Sequence, residues 1–393
     1  MDCLAPAMIN LEAPASTPSR GGRPERKRLA PAIVGGTLVA AAVAAGLLAY
    51  GTRSIAARED WRQASGQCAQ VRTHLATRRY RDANVGLLAA RSTLARSSRT
   101  RESMPLECLR AEAEAADIGR RFKDAIVFNE RAIEAMGALS AERVTLETAR
   151  AAVLLKLGET TRAHQASSNA LRHLTTLHEA PTAELALTHA ILSNRLRRTG
   201  EARRWLAVAA GETLATHQLG RADLLDGRLD AARTRFDRAR RDWSENERAN
   251  RDLLADLSRS EAELELARGR VDAAREQIGA ALVLFGYPTD QSVPGLGGAL
   301  SVASRIYLRS RQLERAEVFG RSALMIAERT ARNPAESADV GEALLAISAV
   351  RRAKDDLPGA RAFAARAVHA LTNSLGAEHR LTREAIRAQR AAQ

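Results

Sequence analysis

The sequence predicts an all-α protein: an α-solenoid of helix-turn-helix units preceded by one transmembrane helix. Three observations carry this. Of the 393 residues 45% are hydrophobic but only 3% aromatic, so the core must be built from Ala and Leu, which argues against an aromatic-rich β fold. Pairs of alanines seven apart return at a nearly constant stride along most of the chain. Near the N-terminus lie 24 consecutive uncharged residues, Leu29 to Thr52.

The first 28 residues hold Pro6, Pro14, Pro18 and Pro24, few large apolar side chains and a terminal basic run, a composition too poor in burial to offset the entropy of ordering. Residues 1–28 read as a disordered basic tail. In the next segment, 29–52, 24 residues at about 1.5 Å each span the hydrocarbon core of a bilayer. Arg20, Arg23, Arg26, Lys27 and Arg28 crowd its N-terminal side, whereas Arg53 and Arg58 are balanced by Glu59 and Asp60 on the other. Positive charge stays inside, so the tail is expected in the cytoplasm and the rest outside it. Two competing readings are a cleaved signal peptide, against which the long basic leader and the missing A-x-A site count, and a buried Ala-rich helix. Gly36, Ala40 and Ala44 lie four apart, the spacing of a small-residue face on which two such helices form a weak homodimer.

Residues 53–393 carry the repeats. The pattern is a large apolar residue, two residues, Ala, six residues, Ala. It occurs at Tyr80/Ala83/Ala90, Phe122/Ala125/Ala132, Leu229/Ala232/Ala239, Val271/Ala274/Ala281, Leu313/Ala316/Ala323 and Leu357/Ala360/Ala367, with a variant at Gly158/Ala163/Ala170. Four of the intervals between first alanines are 42, 42, 42 and 44 residues. The 69-residue gap between Ala163 and Ala232 must hold an irregular unit around Gly200 to Trp205, giving about eight units in all. Alanines seven apart lie two turns apart on one helix face, where a small side chain admits a neighbouring helix. Gly119, Gly158, Gly200, Gly227 and Gly269 mark the turns. A single hairpin cannot bury its apolar face, so the units must stack.

This alternation resembles tetratricopeptide repeats, and its stride is similar to the long form found in kinesin light chains and many bacterial proteins. The match is clearest from Gly298 to Ala327, with Leu300, Ser304, Tyr307, Leu313, Ala316 and Ala323 at the small and large positions. The segment Leu375-Gly376-Ala377-Glu378-His379-Arg380-Leu381-Thr382 resembles the connector of such repeats. The chain departs from the pattern between Thr175 and Gly220, where Trp205 stands in place of a small residue.

No constellation for chemistry is legible. P-loop, zincin, nucleophile-elbow and C-x-x-C motifs are all missing from the sequence. The eight histidines are scattered, the closest pair being His173 and His178 on different helix faces, so no metal site and no cofactor is expected. Gly295-Leu296-Gly297-Gly298 follows no strand and has no adjacent base, and reads as a loop before a helix. The net charge of +14 is almost all Arg, interleaved with acids, and without stacking aromatics it does not indicate nucleic acid. Cys68 and Cys108 fall on first helices of adjacent units. In an oxidising space a Cys68–Cys108 disulfide is feasible where the Cα atoms come within about 7 Å; packed helix axes lie about 8–10 Å apart, so two buried thiols are the first reading and the disulfide the second.

The resemblance implies that first helices line a concave surface that binds extended peptides or partner helices. Carried over through the alanine register, that surface includes Arg72, Arg110, Arg221, Arg259, Arg305 and Arg309, with Glu114 and Glu263 at equivalent positions. Guanidinium forks in a row suit carboxylates, so an acidic peptide or protein is the sharp expectation.

The expected protein is thus a non-enzymatic interaction scaffold of the bacterial inner membrane, single-pass, N-terminus cytoplasmic, with its repeats in the periplasm. An alternative follows from a second resemblance, to the transmembrane and repeat half of bacterial Ser/Thr kinases: an accessory or sensor subunit of such a signalling system. A third reading, an enzyme, has the 286–298 loop as its only irregular segment long enough for a site.

Overall fold

The computed structural model describes residues 32–97 and 104–392, and for residues 32–49, 51 and 53 the backbone alone. The tail 1–28 and the side chains of most of the 29–52 segment, Gly36, Ala40 and Ala44 included, lie outside the described residues. Among the described residues, no helix is long and apolar enough to cross a membrane. The chain divides into two units, Met1–Ala56 and Ala57–Gln393, and the second holds the hairpins.

The helices are α1 (Ala32–Ala76), α2 (Tyr80–Arg96), α3 (Leu106–Ile118), α4 (Phe122–Met136), α5 (Ala141–Lys156), α6 (Thr160–Leu177), α7 (Ala183–Arg195), α8 (Thr199–Val208) and α9 (Thr213–Leu225). They continue as α10 (Leu229–Ser244), α11 (Arg251–Ala267), α12 (Val271–Leu284), α13 (Leu296–Arg309), α14 (Leu313–Thr330), α15 (Ala338–Ala353), α16 (Leu357–Leu375) and α17 (Arg380–Arg390). Among the described residues there is no strand. From the last turns of α1 onward, consecutive helices pair as eight hairpins, and α17 caps the last.

The recurring alanines are the contact points. Ala83, Ala125, Ala163, Ala202, Ala232, Ala274, Ala316 and Ala360, and the partner seven residues after each, are all at most 2% exposed. A larger side chain there would separate the helices. The irregular unit is the hairpin α7–α8. Ala202 and Ala209 occupy its alanine positions, 39 residues after Ala163 and 30 before Ala232, while Trp205 lies between them, packed edge-on against His189. Ser304 and Ser348 add a polar tie, each hydroxyl donating to the carbonyl of the first alanine of its own hairpin, Ala316 at 2.7 Å and Ala360 at 2.8 Å.

One turn geometry closes all eight hairpins. Five residues before each first alanine the backbone enters the left-handed region: Arg78, Arg120, Gly158, Arg197, Gly227, Gly269, Arg311 and Asp355. The next residue's N–H then reaches the carbonyl five positions back, as Arg121 does to Ala116 (2.8 Å) and Arg270 to Glu265 (2.9 Å). This is the Schellman closure of a helix C-terminus. The expected turn glycines are therefore corrected at two places: Gly119 has φ −75° and the left-handed residue is Arg120, while Gly200 lies inside α8 behind Arg197. Hydrogen-bond register, not glycine, sets the turn.

Cys68 and Cys108 form the disulfide, with Cα atoms 4.9 Å apart, the second of the two readings of this pair in place of the first, two thiols. Ala64 and Ala111 on the same buried faces bring α1 and α3 closer than average helices, which removes the spacing objection.

The array winds until distant units meet. The loop before α15 docks on the turn before α6: Ala338 N–H donates to the Gly158 carbonyl at 2.9 Å, and Arg332 makes two 3.1 Å bonds to the buried Glu159. Thr161 donates to the Ser374 carbonyl at 2.6 Å, and His379 Nε2 bonds the Arg195 carbonyl at 3.1 Å. The third and fourth hairpins are thereby clasped to the seventh and eighth.

Candidate functional site

Within the clasp the first helices of five successive hairpins present charge to one another. α7 contributes Arg195, α9 His217 and Arg221, and α11 Asp256, Arg259 and Glu263. α13 adds Arg305, and α15 Asp339 and Glu342. The α11 residues stand at i, i+3 and i+7, one helix face. Arg259 Nε donates to Asp256 Oδ1 at 2.9 Å, Arg221 stands 3.9 Å from the same carboxylate, and Arg305 lies 4.0 Å from Glu263. Arg195 bonds Asp339 and stands 3.9 Å from Glu342.

The electrostatics are those of an enclosed ionic lattice. Burial by itself would raise the Asp256 carboxyl, but the guanidiniums of Arg259 and Arg221 outweigh it and hold it well below the usual carboxylate range. Burial opposes the Arg259 charge, yet Asp256 and Glu263 keep its pKa above the ordinary value. Arg221 is lowered, first by burial and then by Arg259. Burial, assisted by Asp339, raises Glu342 despite Arg195. His217, bonded to Ser260 Oγ at 3.0 Å, is pushed down to about 3, chiefly by burial, so it is neutral at pH 7. The charged side chains remain partly open, from 15% exposed for Arg259 to 46% for Arg305, whereas His217 is buried.

The six arginines expected on the concave face thus separate into groups. Arg221, Arg259 and Arg305 come together. Arg72 binds Glu107 at 2.9 Å and Glu114 at 2.8 Å beside a surface pocket of about 450 Å³, and the buried Arg110 pairs with Glu107 and Glu142. Arg309, at the end of α13, is exposed. The reading of the sequence missed Arg195, His217, Asp256, Asp339 and Glu342. Asp256 was within reach, three residues before Arg259 on the same face. Arg195 was hidden by the broken register, and its meeting with α15 depends on winding that no local pattern encodes.

The 286–298 loop spends its polar groups on packing: Arg120, from the turn before α4, donates to Asp290 at 3.0 Å and to Ser292 at 3.1 Å. Phe285 lies beneath Gly295, where a Cβ would stand 3.2 Å from its ring.

The fold is a solenoid of helical hairpins with an ionic cluster on its first helices. No protein-family model matches the sequence, and a search of curated proteins finds no match. Solved structures do match in fold. A Rap protein, in complex with competence and sporulation factor, superposes with a TM-score of 0.56 at 10% identity, over 84% of this chain and 99% of its own. A tetratricopeptide repeat protein from Parabacteroides merdae gives 0.41 at 14% identity, over 72% and 98%. The Cut9–Hcn1 hetero-tetramer of the APC/C gives 0.47 at 14%, over 78% and 56%. The fold is therefore an all-helical solenoid with tetratricopeptide-like neighbours.

Proposed function

We propose that the chain is a protein-interaction scaffold that holds an extended segment of a partner protein against the charged first helices, tethered to the cell envelope by residues 29–52. The observation that carries this is the ionic lattice itself: five hairpins place Arg195, Arg221, Asp256, Arg259, Glu263, Arg305 and Glu342 on facing surfaces, enclosed yet partly open. Such groups are costly to desolvate, and a partner's side chains can replace water around them with little reorganisation. The Rap protein of similar fold is seen in complex with a competence and sporulation factor, which supports binding on a solenoid of this kind.

The partner's chemistry follows from the pairing. Each interior arginine already faces an acid, so a purely acidic ligand must displace Asp256, Glu263 or Glu342, whereas a segment bearing both charges inserts between them. The Cys68–Cys108 disulfide supports an exported solenoid, because such a bond suits an oxidising space. A role as accessory subunit of a membrane signalling system uses the same surface, with a receptor or kinase as partner.

The experiment is site-specific photocrosslinking in cells from position 305, in the lattice, and from position 283, an exposed valine on α12. A partner captured from 305 and lost on Arg259→Ala supports the proposal. Capture from 283 alone, or capture from 305 unaffected by Arg259→Ala, overturns it. A C-terminal reporter that fluoresces only in the cytoplasm tests export: bright cells reject the orientation.

A further inference from the structure

We propose a second site that the scaffold reading does not use: a binding site for a divalent transition-metal ion such as zinc, formed by His164, His189 and Glu201 from the consecutive helices α6, α7 and α8. The three ligand atoms lie within 4.8 Å of one another, and this is the one such grouping of three among the described residues. Glu201 Oε1 is 3.0 Å from His189 Nε2, and Glu201 Oε2 is 3.7 Å from His164 Nε2. With bonds of about 2.0–2.2 Å, ligands of a tetrahedral ion stand about 3.3 Å apart, so small side-chain rotations close the site.

The hydrogen bonding leaves one buried imidazole nitrogen of the cluster without a partner. Ser167 has one hydroxyl hydrogen, and it points to the His164 carbonyl at 2.9 Å. The Glu201 carboxylate only accepts, so the 3.0 Å contact is His189 Nε2–H donating to Oε1, and a bound ion would take the place of that proton; the Ser167 oxygen, 2.9 Å from Nδ1, then accepts from the ring's other N–H. His164 Nε2, a buried atom in the same cluster, has no hydrogen-bond partner. Two imidazole nitrogens and a carboxylate converge, a donor set that suits a borderline ion of the zinc type rather than magnesium or calcium, which prefer oxygen. The Ser167 contact is the outer support that a ligating histidine ordinarily has.

The surroundings fit a bound ion. His189 is 2% exposed, its ring is 4.6 Å from that of His164, and Trp205 packs edge-on against it. Glu201 is the open member, 24% exposed, where a water completes the coordination. Arg198, 3.7 Å from Glu201 Oε2 and 57% exposed, is the competing cation and can swing into solvent. The ion would cross-link three helices at the place where the alanine stride breaks.

The test uses the full chain, stripped with a chelator and titrated with Co(II), followed by visible ligand-field bands, and with Zn(II) by calorimetry. One equivalent is expected to bind. Glu201→Gln and His164→Gln, each with an unchanged circular-dichroism spectrum, are expected to weaken binding by roughly 100-fold or more, and Ser167→Ala by about 10–100-fold. The inference falls if the native chain binds neither ion saturably, which would leave an imidazolium–carboxylate pair in this place. It falls equally if both ligand variants retain native affinity.

Discussion

Arg195, the last residue of α7, donates to Asp339 in the first turn of α15, so a guanidinium of the fourth hairpin meets a carboxylate of the eighth across 144 positions of sequence. Tandem hairpins need contact only their neighbours. Here the pair joins the ionic lattice to the backbone clasp: the Arg195 carbonyl accepts from His379, and the residue before Asp339 donates to Gly158.

Breaking that pair is expected to loosen the clasp selectively. Asp339→Ala should cost about 1–2 kcal/mol, between surface and fully buried ion pairs, because both side chains are 24–30% exposed. Hydrogen exchange should accelerate at residues 158–162 and 332–340 but not in α10 or α12. Uniform acceleration would refute the local role.

The turn geometry gives opposite substitutions opposite signs. Arg311 holds φ 57° with an exposed side chain, so Arg311→Gly should stabilise by about 0.5–1 kcal/mol. Gly269, at φ 76° with open space where a Cβ would stand, should lose about 1 kcal/mol as Gly269→Ala, from backbone strain alone. Urea midpoints with unchanged slopes read both.

Helix packing through small residues makes size, not polarity, decisive. Ala316→Leu and Ala274→Leu should each cost about 1–3 kcal/mol by overpacking, whereas Val318→Ala, on the exposed face of α14, should be nearly neutral. Thermal melts of the three variants check this ordering.

Acid should release the cap. His379 accepts from the Leu381 N–H at Nδ1 and donates from Nε2 to the Arg195 carbonyl, which requires the neutral ring. Burial, with Arg197 and Arg380 nearby, pushes its pKa down to about 4. Because the folded value lies below the unfolded one of about 6.5, the unfolded chain binds the proton first. Stability is therefore full above pH 6.5 and declines as pH falls toward 4. His379→Gln, whose amide also donates and accepts, should flatten that part of the profile measured by urea unfolding. An unchanged slope would reject the assignment.

The fold was legible because its determinant is local: a helix face needing Ala at i and i+7 writes itself into the sequence at every unit, and six regular hairpins stand where the stride places them. α7–α8 was legible only as an irregular unit around Gly200 to Trp205, because α8 has just 10 residues and its alanines fall off the stride. Turn residues were misread at Gly119 and Gly200, since a hydrogen-bonded helix end holds even arginine in the left-handed region, at a cost in strain that glycine avoids. The arginine row was half legible. The register located Arg221, Arg259, Arg305 and Glu263, but not Arg195, Asp339 and Glu342, which meet through superhelical winding. The grouping of His164, His189 and Glu201 has no motif, because its members sit on three helices 25 and 12 residues apart.

The contact between the turn at Gly158 and the strap at Ala338 also changes how this chain must come apart. An open coil of hairpins frays from either end, one module at a time. Once an early module is bolted to a late one, everything between them shares a single fate, while the two leading hairpins, α1–α2 and α3–α4, stand outside the bolt and, stapled to each other through Cys68 and Cys108, leave together.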